Sequence, residues 1–337
     1  MKNDYKYILP KNFDPNDSEF DIFKDIKSVN FYKPEIILKK NFRIATNSVA
    51  FQYFKILRES CISVVNFEKY QKGYKFFLKF IFPKFNFSKK RFLLITDEWT
   101  SNYYHWHIFT LQKLVILQTA GTAKDAVLFL PKKYKSYKFV LPSLKIFGID
   151  EKQIVFLPKK SNIKTKELAL VKMPQYYPQA LVKVRETILK TSATKDLGFG
   201  EKIYISREGQ KLRFVENEKE VVELLQKYGF KKIIAEKFSY QDQVNIMRGA
   251  KYVVSPHGAG LTNILFMKEN SSILEIATEP NNGRPVTEYF GLASLINFNY
   301  FYHESKFHSG QTDTHMSTFF VDLAKLEKNL KQMLENE

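Results

Sequence analysis

The twelve residues from Tyr252 to Asn263, Tyr-Val-Val-Ser-Pro-His-Gly-Ala-Gly-Leu-Thr-Asn, constrain the fold of this chain more than any other stretch. The β-branched run at Tyr252-Val253-Val254 favours a buried strand, and Gly258-Ala259-Gly260 forms a turn that opens an apolar helix. A strand that leads through a turn into a helix is a crossover unit, and parallel sheets require crossovers. Such a unit leaves unpaired amides and a helix N-terminus at the carboxyl edge of its sheet, where negative charge is favoured. We therefore expect an anion site formed by His257, Gly258, Ala259, Gly260, Thr262 and Asn263. The alternative for His257 is a purely structural loop histidine.

The same alternation of strand and helix runs through the rest of the chain. At 337 residues it is too long for one ordinary core, so two domains are expected. In the first half, Ala50–Leu57 has helical period, and Phe92–Thr96 reads as a buried strand. A helix over Tyr103–Gln118 carries the stripe Trp106, Leu111, Leu114 and Leu117, and strands follow at Ala126–Leu130 and Ile154–Leu157. Residues 171–200 break the rhythm with Pro174, Pro178, Gly198 and Gly200 around a helix from about Gln179 to Lys190. Strands then appear at Lys202–Ile205, Lys232–Ala235, Tyr252–Val254, Ile273–Ile276 and Leu295–Phe298. Helices are expected over Glu218–Tyr228, with Asn217 as N-cap, and over Tyr240–Arg248. The expected class is α/β, with two Rossmann-like domains facing across a cleft. Their bounds are 1–175, with an irregular lead-in over 1–30, and 201–318. Residues 176–200 link them, and a helix lies within 319–337.

A net charge of +18 is unevenly spread. From Lys69 to Thr96 there is no acidic residue, and phenylalanines alternate with lysines. Residues 69–91 suit an anionic membrane surface, or else a solvated face over an aromatic core. No helix-turn-helix, zinc finger or RNP-like motif is visible, so a nucleic-acid partner is not expected. The single cysteine, Cys61, allows no internal disulfide and fits a reducing compartment. Without an apolar run behind Met1 or a span of roughly twenty apolar residues, a cytoplasmic protein is expected, either soluble or peripheral at the membrane.

Arg207 follows the strand at Lys202–Ile205, where a guanidinium can grip a diphosphate with two hydrogen bonds; Arg213 is a second candidate contact. Glu275 interrupts an apolar strand, and a buried carboxylate needs a partner. Ribose hydroxyls or an internal Arg or Lys both satisfy that need. After Phe92–Thr96 come Asp97, Asn102, His105 and His107; a His or Asp there can act as general base. Tyr104 and Trp106 are candidates for stacking on a sugar, with core packing as the alternative. No Asp-x-Asp, Walker A or G-x-G-x-x-G pattern occurs, so neither a metal nor another cofactor is expected.

Taken together, these residues resemble glycosyltransferase family 61. The matching pieces are Asn102-Tyr103-Tyr104-His105-Trp106, and Tyr204-Ile205-Ser206-Arg207 with Arg213 and Asn217-Glu218. Gln243, His257-Gly258-Ala259-Gly260-Leu261-Thr262-Asn263 and Leu274-Glu275-Ile276 complete the series. They cover about residues 95–300. Two positions depart from the pattern: Glu208 stands where a second basic residue is frequent, and no proline lies near Leu114. The resemblance implies a GT-B-like fold and inverting, metal-independent sugar transfer from a nucleotide donor. The acceptors implied are capsule, exopolysaccharide or lipopolysaccharide intermediates. On this reading Arg207, Arg213, His257 and the 258–263 turn hold the donor diphosphate, and Glu275 binds the ribose. His105, or after it Asp97, is the base, while Asn102, Tyr104 and Trp106 contact the acceptor. A polysaccharide pyruvyltransferase and a non-enzymatic basic protein that binds membrane or nucleic acid remain the rival classes.

Overall fold

A computed structural model describes residues 3–26, 28–79, 84–174, 176–210, 213–278, 287–307 and 318–335. It divides into two compact units, one formed mainly by Phe31–Thr191 and the other by Asp4–Asn30 with Ser192–Glu337.

The first unit holds an eight-stranded mixed sheet, not a uniformly parallel one. Asn162–Lys172, Lys84–Leu94, Val127–Pro131 and Ile154–Leu157 run parallel in that spatial order. Glu35–Lys40, Arg43–Ala45, Ala50–Gln52 and Lys55–Ile56 extend the sheet with antiparallel pairing. Glu35–Lys40 and Arg43–Ala45 lie in line along Asn162–Lys172, and short turns join Arg43–Ala45 to Ala50–Gln52 and that strand to Lys55–Ile56, which makes those neighbours antiparallel. Ala50–Leu57 is accordingly a hairpin and not the expected helix: Phe51 pairs with Ile56, and both are buried. The parallel strands bury Phe92, Leu94, Phe129, Leu168 and Leu170 in one core.

In the second unit, Lys231–Ile233, Lys202–Ile205, Tyr252–Pro256, Ser272–Thr278 and Asn299–Phe307 lie side by side and parallel, with Phe319–Phe320 antiparallel at the edge. In chain order the parallel strands are arranged 2-1-3-4-5, a doubly wound sequence that reverses between the first and third strands. Alternation along each strand sorts the side chains. Tyr204, Val254, Leu274, Ile276 and Phe301 join the core formed with the helices Glu218–Lys227 and Leu323–Glu335. Glu275 and Tyr300 project from the other face. The expected strand at Leu295–Phe298 begins later, because the helix Glu288–Leu295 runs up to it and Asn297, with φ of 57°, breaks the chain between them.

The lead-in belongs to this second unit. Lys11 donates its amide to the Tyr300 carbonyl at 2.7 Å, and Asn12 pairs twice with the Tyr302 backbone, at 2.7 and 3.0 Å. Phe20 and Phe23 are buried, and the Phe23 ring lies 4.9 Å from Phe290 and 5.0 Å from Tyr302. The polar composition around them conceals this aromatic anchor. Among the described residues no helix is long and apolar enough to cross a membrane.

Candidate active site

A doubly wound sheet binds ligands where its strand order reverses, because the connections leave that edge in opposite directions and open a crevice at the carboxyl ends. Here the reversal lies between Lys202–Ile205 and Tyr252–Pro256. The first strand leads directly to Arg207 and the second to His257 and Gly258. Ser255 bridges the two strands by donating to the Ile205 carbonyl at 3.1 Å.

Arg207 is half-buried, and its Nε donates to the Arg213 carbonyl at 2.9 Å. Its Nη1 lies 1.8 Å from where a Cβ on residue 258 would stand. Gly258 is therefore required by the guanidinium; its backbone, with φ of 163°, is extended and open to any residue. Burial, and then the charge of Arg213, lower the Arg207 pKa from its ordinary value. Arg213 has a left-handed φ of 55°, and its Nε is buried without a partner. The structure thus brings the two arginines and the 258 turn together.

The turn opens a helix over Ala259–Phe266 that is 3-10 and not α, with every residue from Leu261 to Phe266 buried. Gly260 packs so closely that a Cβ would lie 3.2 Å from Ile205 Cγ2. Thr262 and Asn263, expected to meet the donor, turn inward instead. Thr262 Oγ1 lies 3.4 Å from the Tyr289 hydroxyl, and Asn263 Nδ2 donates to Gln243 Oε1 at 3.0 Å. Their side chains lock the turn from within.

Glu275 also departs from its expected role, since it is fully buried and both carboxylate oxygens are taken. His257 Nδ1 lies 2.5 Å from Oε1, and the Tyr300 hydroxyl donates to Oε2 at 2.6 Å. A carboxylate only accepts, so Nδ1 carries the proton and Nε2 is the free edge of the imidazole. Burial, then the Glu275 charge, raise the Tyr300 pKa well above its ordinary value. Glu275 orients His257 and has no oxygen left for a ribose. The Tyr289 ring stands 5.3 Å from the His257 ring. No sequence signal singled out Tyr289 or Tyr300, because each is known only by what lies across the sheet from it.

Asn217 and Glu218 brace this edge from behind. Glu218 accepts from the Ser206 hydroxyl at 2.6 Å and the Tyr204 hydroxyl at 2.9 Å. Asn217 makes no side-chain cap; its amide clamps the Val321 backbone in both directions, at 2.9 and 3.0 Å.

In the first unit the candidate residues separate. Asp97 is buried and saturated, accepting from the Trp99 amide at 3.0 Å, the Thr100 hydroxyl at 2.8 Å and Lys113 Nζ at 2.8 Å. Burial raises its pKa, but Lys113 and these hydrogen bonds outweigh that and hold it below the ordinary value. A paired carboxylate of this kind is a poor base. Trp106 is fully buried and donates to Ser143 Oγ at 2.8 Å, and the buried Tyr104 hydroxyl pairs with that of Tyr176 at 2.5 Å. Neither can stack on a sugar. Asn102 caps the helix, accepting from the Tyr104 amide at 2.8 Å. His107 is fully buried, with Nδ1 2.8 Å from the Tyr103 carbonyl, and burial takes its pKa down to about 4. His105 stays half-exposed. Its ring stacks on Phe109 at 5.1 Å and stands 5.4 Å from Trp99, and its Nδ1 is buried without a partner. Burial lowers its pKa against the opposing charge of Asp97, which favours the neutral ring. Trp99, 48% exposed, is the ring available for stacking, and sequence alone could not tell it from the buried Trp106.

Among the described residues no group of three or more His, Cys, Asp or Glu side chains is placed to hold a metal ion. The sequence model of the family described as Glycosyltransferase 61 matches residues 103–274, just over half of the chain. No curated protein matches.

Proposed function

We propose a transfer mechanism on one premise: the chain belongs to the glycosyltransferase 61 family and is a glycosyltransferase. Its donor is a nucleoside-diphosphate sugar and its acceptor a cell-surface polysaccharide or lipid-linked glycan. The observation that carries the donor site is the Arg207 guanidinium lying against Gly258 at the reversal of strand order. There Arg207, Arg213 and the backbone amides after Gly258 receive the diphosphate, beside the His257 ring that Glu275 orients through Nδ1.

Transfer is a single in-line displacement with inversion at the anomeric carbon. The acceptor oxygen forms its bond as the bond to the phosphate oxygen breaks, and the nucleoside diphosphate departs with the electron pair. The acceptor proton passes to a base, which we assign to His105; Trp99 beside it offers a face for the sugar. The cationic cluster stabilises leaving-group charge, so no metal is needed.

The test is calorimetry with UDP-, GDP- and CMP-linked sugars, together with turnover. Arg207→Ala should weaken donor binding and reduce turnover by roughly a hundredfold or more, with an unchanged thermal midpoint. His105→Ala should keep donor binding and lose transfer. Near-wild-type turnover in Arg207→Ala removes the mechanism.

A further inference from the structure

Away from the candidate site, one module of the first unit exposes apolar surface that the fold does not need to expose. The hairpin of Ala50–Gln52 and Lys55–Ile56 turns through Tyr53 and Phe54, which are 84% and 74% exposed. A two-residue hairpin turn normally takes Asn, Asp or Gly. Tyr53 instead occupies the left-handed region at φ of 53°, where a bulky residue is strained. Two aromatic rings are thus held in water at a turn tip that polar residues would form more stably.

The helices Val64–Lys72 and Tyr74–Lys79 pack beside this tip. Gln71 accepts from the Ile56 amide at 2.8 Å and donates to the Phe54 carbonyl at 3.1 Å; Phe54 and Phe77 meet edge-on at 5.4 Å. Phe51, Phe76 and Phe77 form a small core beneath. Above that core, Val64–Lys72 has no buried residue at all. Val65 is 74% exposed and shares a helical stripe with Lys69 and Lys72; Tyr74 and Leu78 form a second stripe, 69% and 60% exposed. Lys55, Lys69, Lys72 and Lys75 are exposed, and none makes an ion pair among the described residues. The acidic side chains in this stretch are Glu59 and Glu68. Residues 80–83 of the basic aromatic segment lie outside the described residues.

We propose that this hairpin tip and the exposed stripes of the two helices form a docking surface for an anionic lipid bilayer. The charge pattern decides the occupant. Apolar rings and aliphatic side chains enter the headgroup boundary, while unpaired lysines snorkel to lipid phosphates. A second copy of the chain would bring lysine against lysine.

The test is flotation of the full chain with vesicles of phosphatidylcholine, and with vesicles in which roughly a third of the lipid is phosphatidylglycerol. Binding to the anionic vesicles alone, falling as salt rises, is expected. Lys69→Gln/Lys72→Gln/Lys75→Gln should lose about fivefold in affinity per lysine, or about a hundredfold in all. Val65→Ser/Leu78→Ser, whose side chains lie outside the small core, should also detach while keeping the wild-type thermal midpoint and lipid-free turnover. Equal flotation of wild type and both variants overturns the proposal. So does a concentration-dependent dimer that Val65→Ser/Leu78→Ser dissolves, because the surface would then belong to a second copy.

Discussion

Arg207 can reach its place only because residue 258 has no side chain. The backbone there is extended, so alanine at 258 carries no conformational penalty, and its one effect is to meet the guanidinium. Gly258→Ala should therefore cut turnover about as deeply as Arg207→Ala while moving the thermal midpoint little. The double variant should lose no more than either single one, since both remove the same contact. Additive losses would show that Gly258 acts on something else. The same local reasoning explains why the motif around it was only half legible. His257 and Gly258 stand out in the sequence as candidate site residues, because a glycine turn after a strand has few other uses. Thr262, Asn263 and Glu275 look equally functional in sequence, yet they pair with Tyr289, Gln243 and His257, whose proximity no local pattern encodes.

Among the elements, the helix Glu218–Lys227 shows how a cap signal can mislead. Asn before Glu at a helix start ordinarily means N-capping, worth about 1 kcal/mol. Asn217 spends its amide on Val321 instead and ties this helix to the segment that precedes Leu323–Glu335. Removing the amide leaves a buried N–H and a buried C=O unpaired. Asn217→Ala should then cost about 2–4 kcal/mol by urea unfolding. Asn217→Ser, a good cap, should cost nearly as much; full recovery by serine would restore the capping explanation. The helix over 103–119 carries a comparable lesson, because its π-helical turn at Trp106–Thr110 breaks the regular 3.6-residue period. Trp106 and His107 are both buried there while His105 keeps an open edge, a sorting that a regular helical wheel does not yield.

Taken as a whole molecule, each unit buries one histidine among the described residues: His107 in the first and His303 in the second, each pushed down to about 4 by desolvation. Unfolded, these rings regain an ordinary pKa near 6.5, so between about pH 6.5 and 4 the unfolded chain binds more protons. Stability is then fully present above that interval and is lost as pH falls through it. From pH 7 to pH 5 the loss should be roughly 2 kcal/mol per histidine. Denaturant unfolding at the two pH values checks this, and His303→Asn should flatten the dependence in the second unit. A midpoint unchanged at pH 5 would contradict it.

Periodicity and turn chemistry were enough to establish an α/β chain, the parallel strands of the second unit and the strand–turn–helix that ends at His257, because each depends on neighbours close in sequence. Contacts between distant segments decided the rest. The order 2-1-3-4-5 set Arg207 beside Gly258, the hairpin turned Ala50–Leu57 into strands, and Phe20 and Phe23 drew the lead-in onto the second unit. Burial and pairing then assigned the polar side chains their roles. A carboxylate such as Asp97 or Glu275 is a reagent only if its oxygens remain free, and that depends on partners which a linear chain does not reveal.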